Sequence, residues 1–313
     1  MSTVIENEQA AIDAGKVAFN WRSYYELCKP KVVYLIVFTG FVGMLLAEHG
    51  GLPAWDILIA ANLGIGLAAA SGAALNHMID QRIDALMHRT EKRPLPSGRL
   101  DTLHVFLFAV SLGLIAMAIL LAFVNVLTAV LTFIALIGYA VIYTVFLKRN
   151  TPQNIVLGGA AGAAPPLLGW TAVTGEVATE AVLLFLIIFV WTPPHFWALA
   201  IRRRKEYAKA GIPMLPVTHG VPFTKEQILL YTLLLFTVSL MPAVIHMSGL
   251  IYLSGAISLG IGFIYYAYRL YRDSSDALAM KTFGYSIFYL SLLFAFLLVD
   301  HYAREFVHLL IGV

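Results

Sequence analysis

Residues 57–96 read ILIAANLGIGLAAASGAALNHMIDQRIDALMHRTEKRPLP. The run begins as an apolar segment long enough to cross a bilayer. It closes on Asn76, Asp80 and Asp84, spaced four apart, with Arg82, Arg89, Lys92 and Arg93 close by. A helix turns about 100° per residue, so this spacing sets the three side chains on one face. Two carboxylates one turn apart repel, and an Asp deep in a membrane helix costs roughly 2.5–3.5 kcal/mol. A surface ion pair, worth about 0–1 kcal/mol, does not offset that. A divalent cation does. Mg²⁺ takes one or two carboxylates and completes its shell with water and phosphate oxygens, and the neighbouring cations suit the rest of an anion's charge. The face reads as a site for Mg²⁺ and a phosphorylated substrate at a membrane surface. The competing reading makes Asn76 helix–helix glue and the aspartates caps of a solvated helix end. It leaves the triple spacing and the basic run as coincidence.

Working outward, 60% of the 313 residues are hydrophobic and only 12% are charged, about half the charge of a soluble domain. This is the composition of an all-α polytopic membrane protein. Apolar stretches near 32–47, 57–79, 105–124, 126–146, 154–173, 181–201, 228–247, 250–271 and 283–301 predict nine spans. Asn125 divides the third from the fourth, because the unbroken run is twice what a bilayer needs. Residues 1–28 read as an N-terminal tail with a short interfacial helix near Trp21–Leu27. Residues 304–313 read as a short C-terminal tail, and 29–303 as the nine-helix domain.

Every Lys and Arg except Arg304 falls on the N-terminal tail, on the alternate loops near 80–104, 147–153, 202–227 and 272–282, or on the adjoining helix ends. The opposite side carries Glu48, Asp56, Glu176 and Glu180. The positive-inside rule therefore puts the N-terminus in the cytoplasm and the C-terminus outside. A net charge of +3 needs no nucleic acid to explain it. The lone Cys28 excludes an internal disulfide. The first thirty residues have neither the apolar core of a signal peptide nor the Arg-rich pattern of a transit peptide, which favours a bacterial cytoplasmic (inner) membrane.

Two more polar stretches lie on the same side. In WTPPHFWALAIRRRKEYAKAGIPMLPVTHG (191–220), Pro193 and Pro194 predict a kink or a restart of the sixth span. His195 follows directly, between Trp191 and Trp197, and Arg202–Lys205 with Glu206 end the helix. In LKRNTPQNIVLGGAAGAAPPLLGW (147–170), Thr151 reads as an N-cap and Pro152 as the first helical residue. Lys148 and Arg149 stand beside that start, where an anion is favoured. Gly158, Gly159 and Gly162 admit a close helix or a flat ligand.

These residues carry a resemblance. Asn76-x₃-Asp80-x₃-Asp84 with Met87–Thr90 and Arg93-Pro94-Leu95 resembles the first acidic motif of the UbiA-type intramembrane aromatic prenyltransferases. Lys29–Val32, the run from Tyr143-Thr144 to Gly169-Trp170, and Pro193–Trp197 with Gly211–Pro216 resemble their protoheme IX farnesyltransferase (haem O synthase) branch. The resemblance spans roughly residues 22–300. It implies nine helices around a central cavity capped by cytoplasmic loops. It implies farnesyl transfer from farnesyl diphosphate to a vinyl group of haem b, with water supplying a hydroxyl, to give haem O for haem–copper oxidases. A haem A synthase or a terminal oxidase assembly would be the protein partner.

By position, the resemblance makes Asn76, Asp80 and Asp84 the catalytic Mg²⁺ and diphosphate ligands. Arg89, Lys92, Arg93, Lys148 and Arg149 become the diphosphate-side cations. The second acidic motif of the superfamily is incomplete here: Glu206 is a candidate metal ligand, but Arg202 stands four residues before it. Haem b enters as a substrate. His195 is the first candidate for its axial ligand and His77 the second, although a 100° step turns His77 off the acidic face. Two rivals stay open: a prenyltransferase of the same fold with a quinone precursor as acceptor, and a membrane transporter.

Overall fold

The computed structural model describes residues 20–48 and 51–311. Among them nine helices are long and apolar enough to span a membrane. They are α1 (Pro30–Ala47), α2 (Trp55–Ile79), α3 (Thr102–Phe123), α4 (Val126–Asn150), α5 (Asn154–Thr174), α6 (Thr179–Arg202), α7 (Gly220–Val244), α8 (Leu250–Arg272) and α9 (Ala279–Ile311). The chain is an integral membrane protein. Neighbours in sequence pack side by side around a central space, α6 also packs on α9, and α9 touches α1 only lightly. Apolar side chains such as Leu103, Phe106, Leu114, Leu121 and Phe133 cover the outside of α3 and α4, as a lipid-facing surface requires.

The expected tail lies outside the described residues as far as position 19. The expected short helix forms at Trp21–Leu27, with Asn20 Oδ1 accepting from the Arg22 N–H at 3.2 Å. Asn125 does divide α3 from α4. Its side chain accepts from Thr128 N–H at 2.8 Å and donates to the Thr171 carbonyl at 2.9 Å, so the break is capped and tied to α5 at once.

Four expectations are corrected. The sixth span neither breaks nor restarts at Pro193-Pro194: α6 runs through both prolines to Arg202. Packing holds it, for Trp191 Nε1 donates to the Ser286 carbonyl on α9 at 2.8 Å. The interruption falls in α5 instead, between Ala163 and Pro165, where Pro165-Pro166 open a second helical segment. A proline is well placed in a first turn, whose N–H groups have no intrahelical acceptor. This second half presses on α1 so closely that a Cβ at Gly169 would stand 1.9 Å from the Gly40 carbonyl oxygen. Thr151 is not the cap of α5, which starts at Asn154; its hydroxyl accepts from Gln153 N–H in a local turn. Finally, α7 begins at Gly220, so the preceding loop is shorter than 202–227, and α9 continues as helix past Ala303.

The loops gather at two ends. One holds 80–101, 148–153, 203–219 and 273–278, and is called here the charged end. Arg204 bridges it by donating to Asp276 at 2.6 Å, and buried Lys225 donates to the Asp273 and Ser275 carbonyls. At the other end Asp300 caps the start of α8 and His301 Nε2 meets the Glu48 carbonyl oxygen at 3.0 Å.

Candidate active site

Asn76, Asp80 and Asp84 are all buried, at 4%, 1% and 3% exposure. The regular helix ends at Ile79, yet Asp80 N–H still donates to the Asn76 carbonyl and Asp84 N–H to the Asp80 carbonyl, at 2.9 and 2.8 Å. The one-face register expected from the spacing therefore survives. Asn76 Nδ2 donates to Asp80 Oδ2 at 2.9 Å and to Thr144 Oγ1 at 3.0 Å. Asp80 Oδ1 is buried with no hydrogen-bond partner.

Cations close over these acids. Lys148 Nζ donates to Asp80 Oδ2 at 2.5 Å and Arg93 Nη1 to Asp84 Oδ2 at 2.6 Å. Arg149 stands 3.8 Å from Asp80 Oδ1 and donates to the Ile79 carbonyl. These three lie where the sequence reading put them. Arg89 is exposed, and the charged groups that act on it are Arg203, Tyr207, Arg93 and Glu206, with neither Asp80 nor Asp84 among them. Lys92 is exposed, and its carbonyl accepts from Arg99.

Lys29 belongs to the cluster and was not among the expected cations. Its Nζ donates to Asn76 Oδ1 at 2.6 Å and reaches Tyr139 OH at 3.3 Å. Burial first, and then Arg93 and Lys148, push its ammonium down to about 7. Its backbone sits at φ 48°, a left-handed conformation rare outside glycine. Strain of this kind collects where a site needs a side chain aimed in one direction. The one signal in the sequence was a Lys-Pro step opening an apolar span.

Tyr139, Tyr143, Thr144 and Lys148 reach the site from α4, which is a π-helix over Gly138–Leu147. Thr144 Oγ1 donates to the Tyr139 carbonyl at 2.8 Å, five residues back. The wider turn lets the Tyr139 and Tyr143 rings stack at 5.8 Å and 12°. Such segments in α-helices recur at functional sites. Gly158 of α5 makes room for this: a Cβ there would lie 2.1 Å from Tyr143 Cδ2.

The second loop packs over the first. Ile212, Met214 and Leu215 bury against Met87, Ile155 and Trp197, so the Gly211–Pro216 motif is a lid of the charged end. Glu206 Oε2 is buried without a partner beneath it. Burial raises the nearby Tyr207 hydroxyl above its ordinary range.

Below the cluster lies a chamber of about 400 Å³. Lys29, Tyr139 and Tyr143 are at its mouth. Ala68, Gly72 and Ala73 of α2 face it, as do Gly158, Gly159 and Gly162 of α5 and Trp191, Thr192 and Phe196 of α6. His195 does not line it. Its ring stacks between Trp191 at 4.1 Å and Phe283 at 4.6 Å, and Nδ1 lies 2.7 Å from Ser286 Oγ. His77 is buried at 2% exposure, with neither ring nitrogen partnered, and lines no part of the chamber.

Among the described residues no three of His, Cys, Asp and Glu cluster as a metal site. The donor set is two carboxylates and the Asn76 amide. It fits Mg²⁺, a hard cation that takes few protein oxygens and leaves positions for water and phosphate; the unpartnered Asp80 Oδ1 is the atom a metal would engage.

Comparison with known proteins identifies the family and the fold. The family model of the UbiA prenyltransferase family matches residues 36–293. A protoheme IX farnesyltransferase of Thioalkalivibrio sulfidiphilus is 69% identical over 92% of this chain and 95% of its own length. One of Nitrosococcus oceani is 63% identical over 92% and 96%. Among solved structures, one described under the biosynthesis of digeranylgeranylglyceryl phosphate synthase in membranes superposes with a TM-score of 0.78. It is 20% identical and covers 90% of this chain and 98% of that one. A UbiA homologue from Archaeoglobus fulgidus bound to GPP and Mg²⁺ superposes at 0.61, 15% identical, over 88% and 99%. These two share the fold. By the extent of the family match and the identity to its curated relatives, the chain belongs to the UbiA prenyltransferase family.

Proposed function

We propose that this protein transfers the farnesyl group of farnesyl diphosphate to a vinyl group of haem b, with addition of water, to form haem O. The observation that carries the reading is a buried Asp/Asn set, ringed by four cations, over the mouth of an apolar chamber. The acceptor is inferred from relatives above 60% identity that are named protoheme IX farnesyltransferases.

The allylic C–O bond breaks at the mouth. Negative charge grows on the diphosphate, where Lys29, Arg93, Lys148 and Arg149 stabilise it; one such donor is commonly worth about 2.7–4 kcal/mol of barrier. Asn76, Asp80 and Asp84 would hold Mg²⁺, and a bound Mg²⁺ supplies Lewis-acid stabilisation of the leaving oxygens. Glu206 is proposed as a weaker second ligand. Arg89, and less directly Lys92, add positive potential at the entrance. The prenyl tail lies in the chamber, away from bulk water. The vinyl terminus attacks the farnesyl carbon, and the cation left beside the porphyrin takes a water oxygen and sheds one proton.

His195 remains the proposed axial ligand. Ser286 Oγ donates to the Phe283 carbonyl at 2.6 Å, so His195 Nδ1 must donate to Ser286 and Nε2 keeps its lone pair. Histidine ligands are oriented in this way by the other ring nitrogen. Because the ring does not line the chamber, the porphyrin would have to dock on the side where α6 meets α9. His77 is the second choice. The charge asymmetry supports a cytoplasmic charged end, and an inner membrane is proposed with it; reporters fused at Glu176 and Gly211 should lie on opposite sides, and equal signals would refute the topology.

The test of function is direct. Membranes holding the protein, given haem b, farnesyl diphosphate and Mg²⁺, should yield a haem heavier by one farnesyl group and one hydroxyl. Prenylation of a quinone precursor with haem b untouched would refute the acceptor.

A further inference from the structure

The far end of the chamber is built differently from its mouth. Ile65 of α2 and Leu168 of α5 line it, and both also belong to a cluster with Met44, Leu58 and Ala172 that closes the space beneath. Thr132 of α4 joins them. It is 3% exposed, it lines the chamber, and its hydroxyl has no hydrogen-bond partner. The three share one depth. Thr128 Oγ1 meets Thr171 Oγ1 at 3.0 Å across α4 and α5, and one turn further toward the charged end the same antiparallel contact brings Thr132 beside Leu168. At 1.5 Å per residue, Ile65 lies roughly 22 Å below Asp80, and Thr132 roughly 24 Å below Lys148.

That depth can be compared with prenyl chains. Metal and diphosphate fill roughly the first 5 Å, with Mg–O contacts of about 2 Å each. With carbon–carbon bonds of about 1.5 Å, an extended C15 chain measures roughly 14 Å and a C20 chain roughly 19 Å. The C15 chain ends just above Ile65, Leu168 and Thr132. The last isoprene of a C20 chain would have to displace two side chains of a packed cluster and press on a hydroxyl that has no other partner, while a C10 chain would leave the lower chamber unfilled.

We propose that Ile65, Leu168 and Thr132 form a floor that selects the length of the prenyl donor, with C15 preferred over C10 and C20. The selection rests on the prenyl-transfer reading above.

The experiment measures kcat/KM with C10, C15 and C20 diphosphates and haem b in the full-length protein. Leu168→Ala lowers the floor and should raise the C20-to-C15 ratio tenfold or more. Thr132→Leu raises it and should move the C10-to-C15 ratio up by a similar factor. Should Leu168→Ala fail to fold, Ile65→Val, a smaller deepening, should still raise the C20 ratio severalfold. Ratios within twofold of wild type in active, folded variants would overturn the floor alone. No transfer by the wild type with any chain length would overturn the functional reading, and the floor with it.

Discussion

Asp80 and Asp300 are buried equally, each at 1% exposure, at opposite ends of the same bundle. Asp300 commits both oxygens to backbone: Oδ2 accepts from Gly249 N–H at 2.5 Å and Oδ1 from Tyr252 N–H at 3.1 Å, at the start of α8. Arg304 stands at its edge, 4.0 Å away. Asp80 is held by side chains alone: Oδ2 accepts from Asn76 and Lys148, and Oδ1 accepts no hydrogen bond, with Arg149 3.8 Å away. A carboxylate whose oxygens are both taken by fixed amides is finished as structure. One held by movable side chains, with an oxygen to spare, can exchange those partners for a metal and a phosphate.

The sharpest way to break the contrast is to neutralise each acid. Asp80→Asn should reduce transfer a hundredfold or more, in line with about 2.7–4 kcal/mol for a group that stabilises developing charge, and Asp84→Asn similarly. Both are compared at equal amounts of folded protein, because each variant also takes its carboxylate partner from Lys148 or Arg93 and lowers stability. Asp300→Ala should spare transfer instead. Loss of charged hydrogen bonds should lower stability by about 1.5–3 kcal/mol, seen as an earlier thermal transition, with the remaining folded enzyme turning over normally. If Asp300→Ala abolished turnover in folded protein, the contrast would fail.

A smaller effect sharpens the active end. With its pKa near 7, Lys29 of the metal-free protein is protonated below that pH and neutral above it. An anion binds the protonated form. Pyrophosphate affinity, measured by calorimetry without metal, should therefore be full below about pH 7 and fall as pH rises through it. Lys29→Arg should hold its affinity across that range, and Lys29→Met should be weak throughout. A wild-type affinity that rises with pH would contradict the assignment.

The smallest expected change concerns haem. His195→Ala should weaken haem binding and shift the Soret band while farnesyl diphosphate affinity is kept. Ser286→Ala should shift it less, because only the orientation of the ring is released. An unaltered spectrum in both returns His195 to packing.

The same contrast separates what could be read in the sequence from what could not. Asn76, Asp80, Asp84, Lys148 and Arg149 were legible because their spacing, charge and side of the membrane follow from local rules. The spans were legible from hydropathy, and Asn125 from the impossibility of a double-length helix. Lys29 and Thr144 were visible only as letters of the resembling motifs, and Tyr139 not at all: their contacts cross from one helix to another, and Lys29 is aimed by a backbone conformation that residue type does not announce. The π-helix is invisible to an apolar pattern that reads alike at either pitch. The double proline of α6 does not restart its helix, while the similar pair in α5 opens a second helical segment.

The Asp80 oxygen that accepts no hydrogen bond is proposed to serve a metal-assisted departure of diphosphate above the chamber. One measurement meets it most directly: the rate of farnesylated haem formation, followed by mass, for wild type and Asp80→Asn across a Mg²⁺ titration at equal amounts of folded protein. Saturable Mg²⁺ dependence is expected in the wild type, with a loss of a hundredfold or more in the variant at every concentration. A variant that matched the wild-type rate, or a wild type indifferent to Mg²⁺ after chelation, would contradict it.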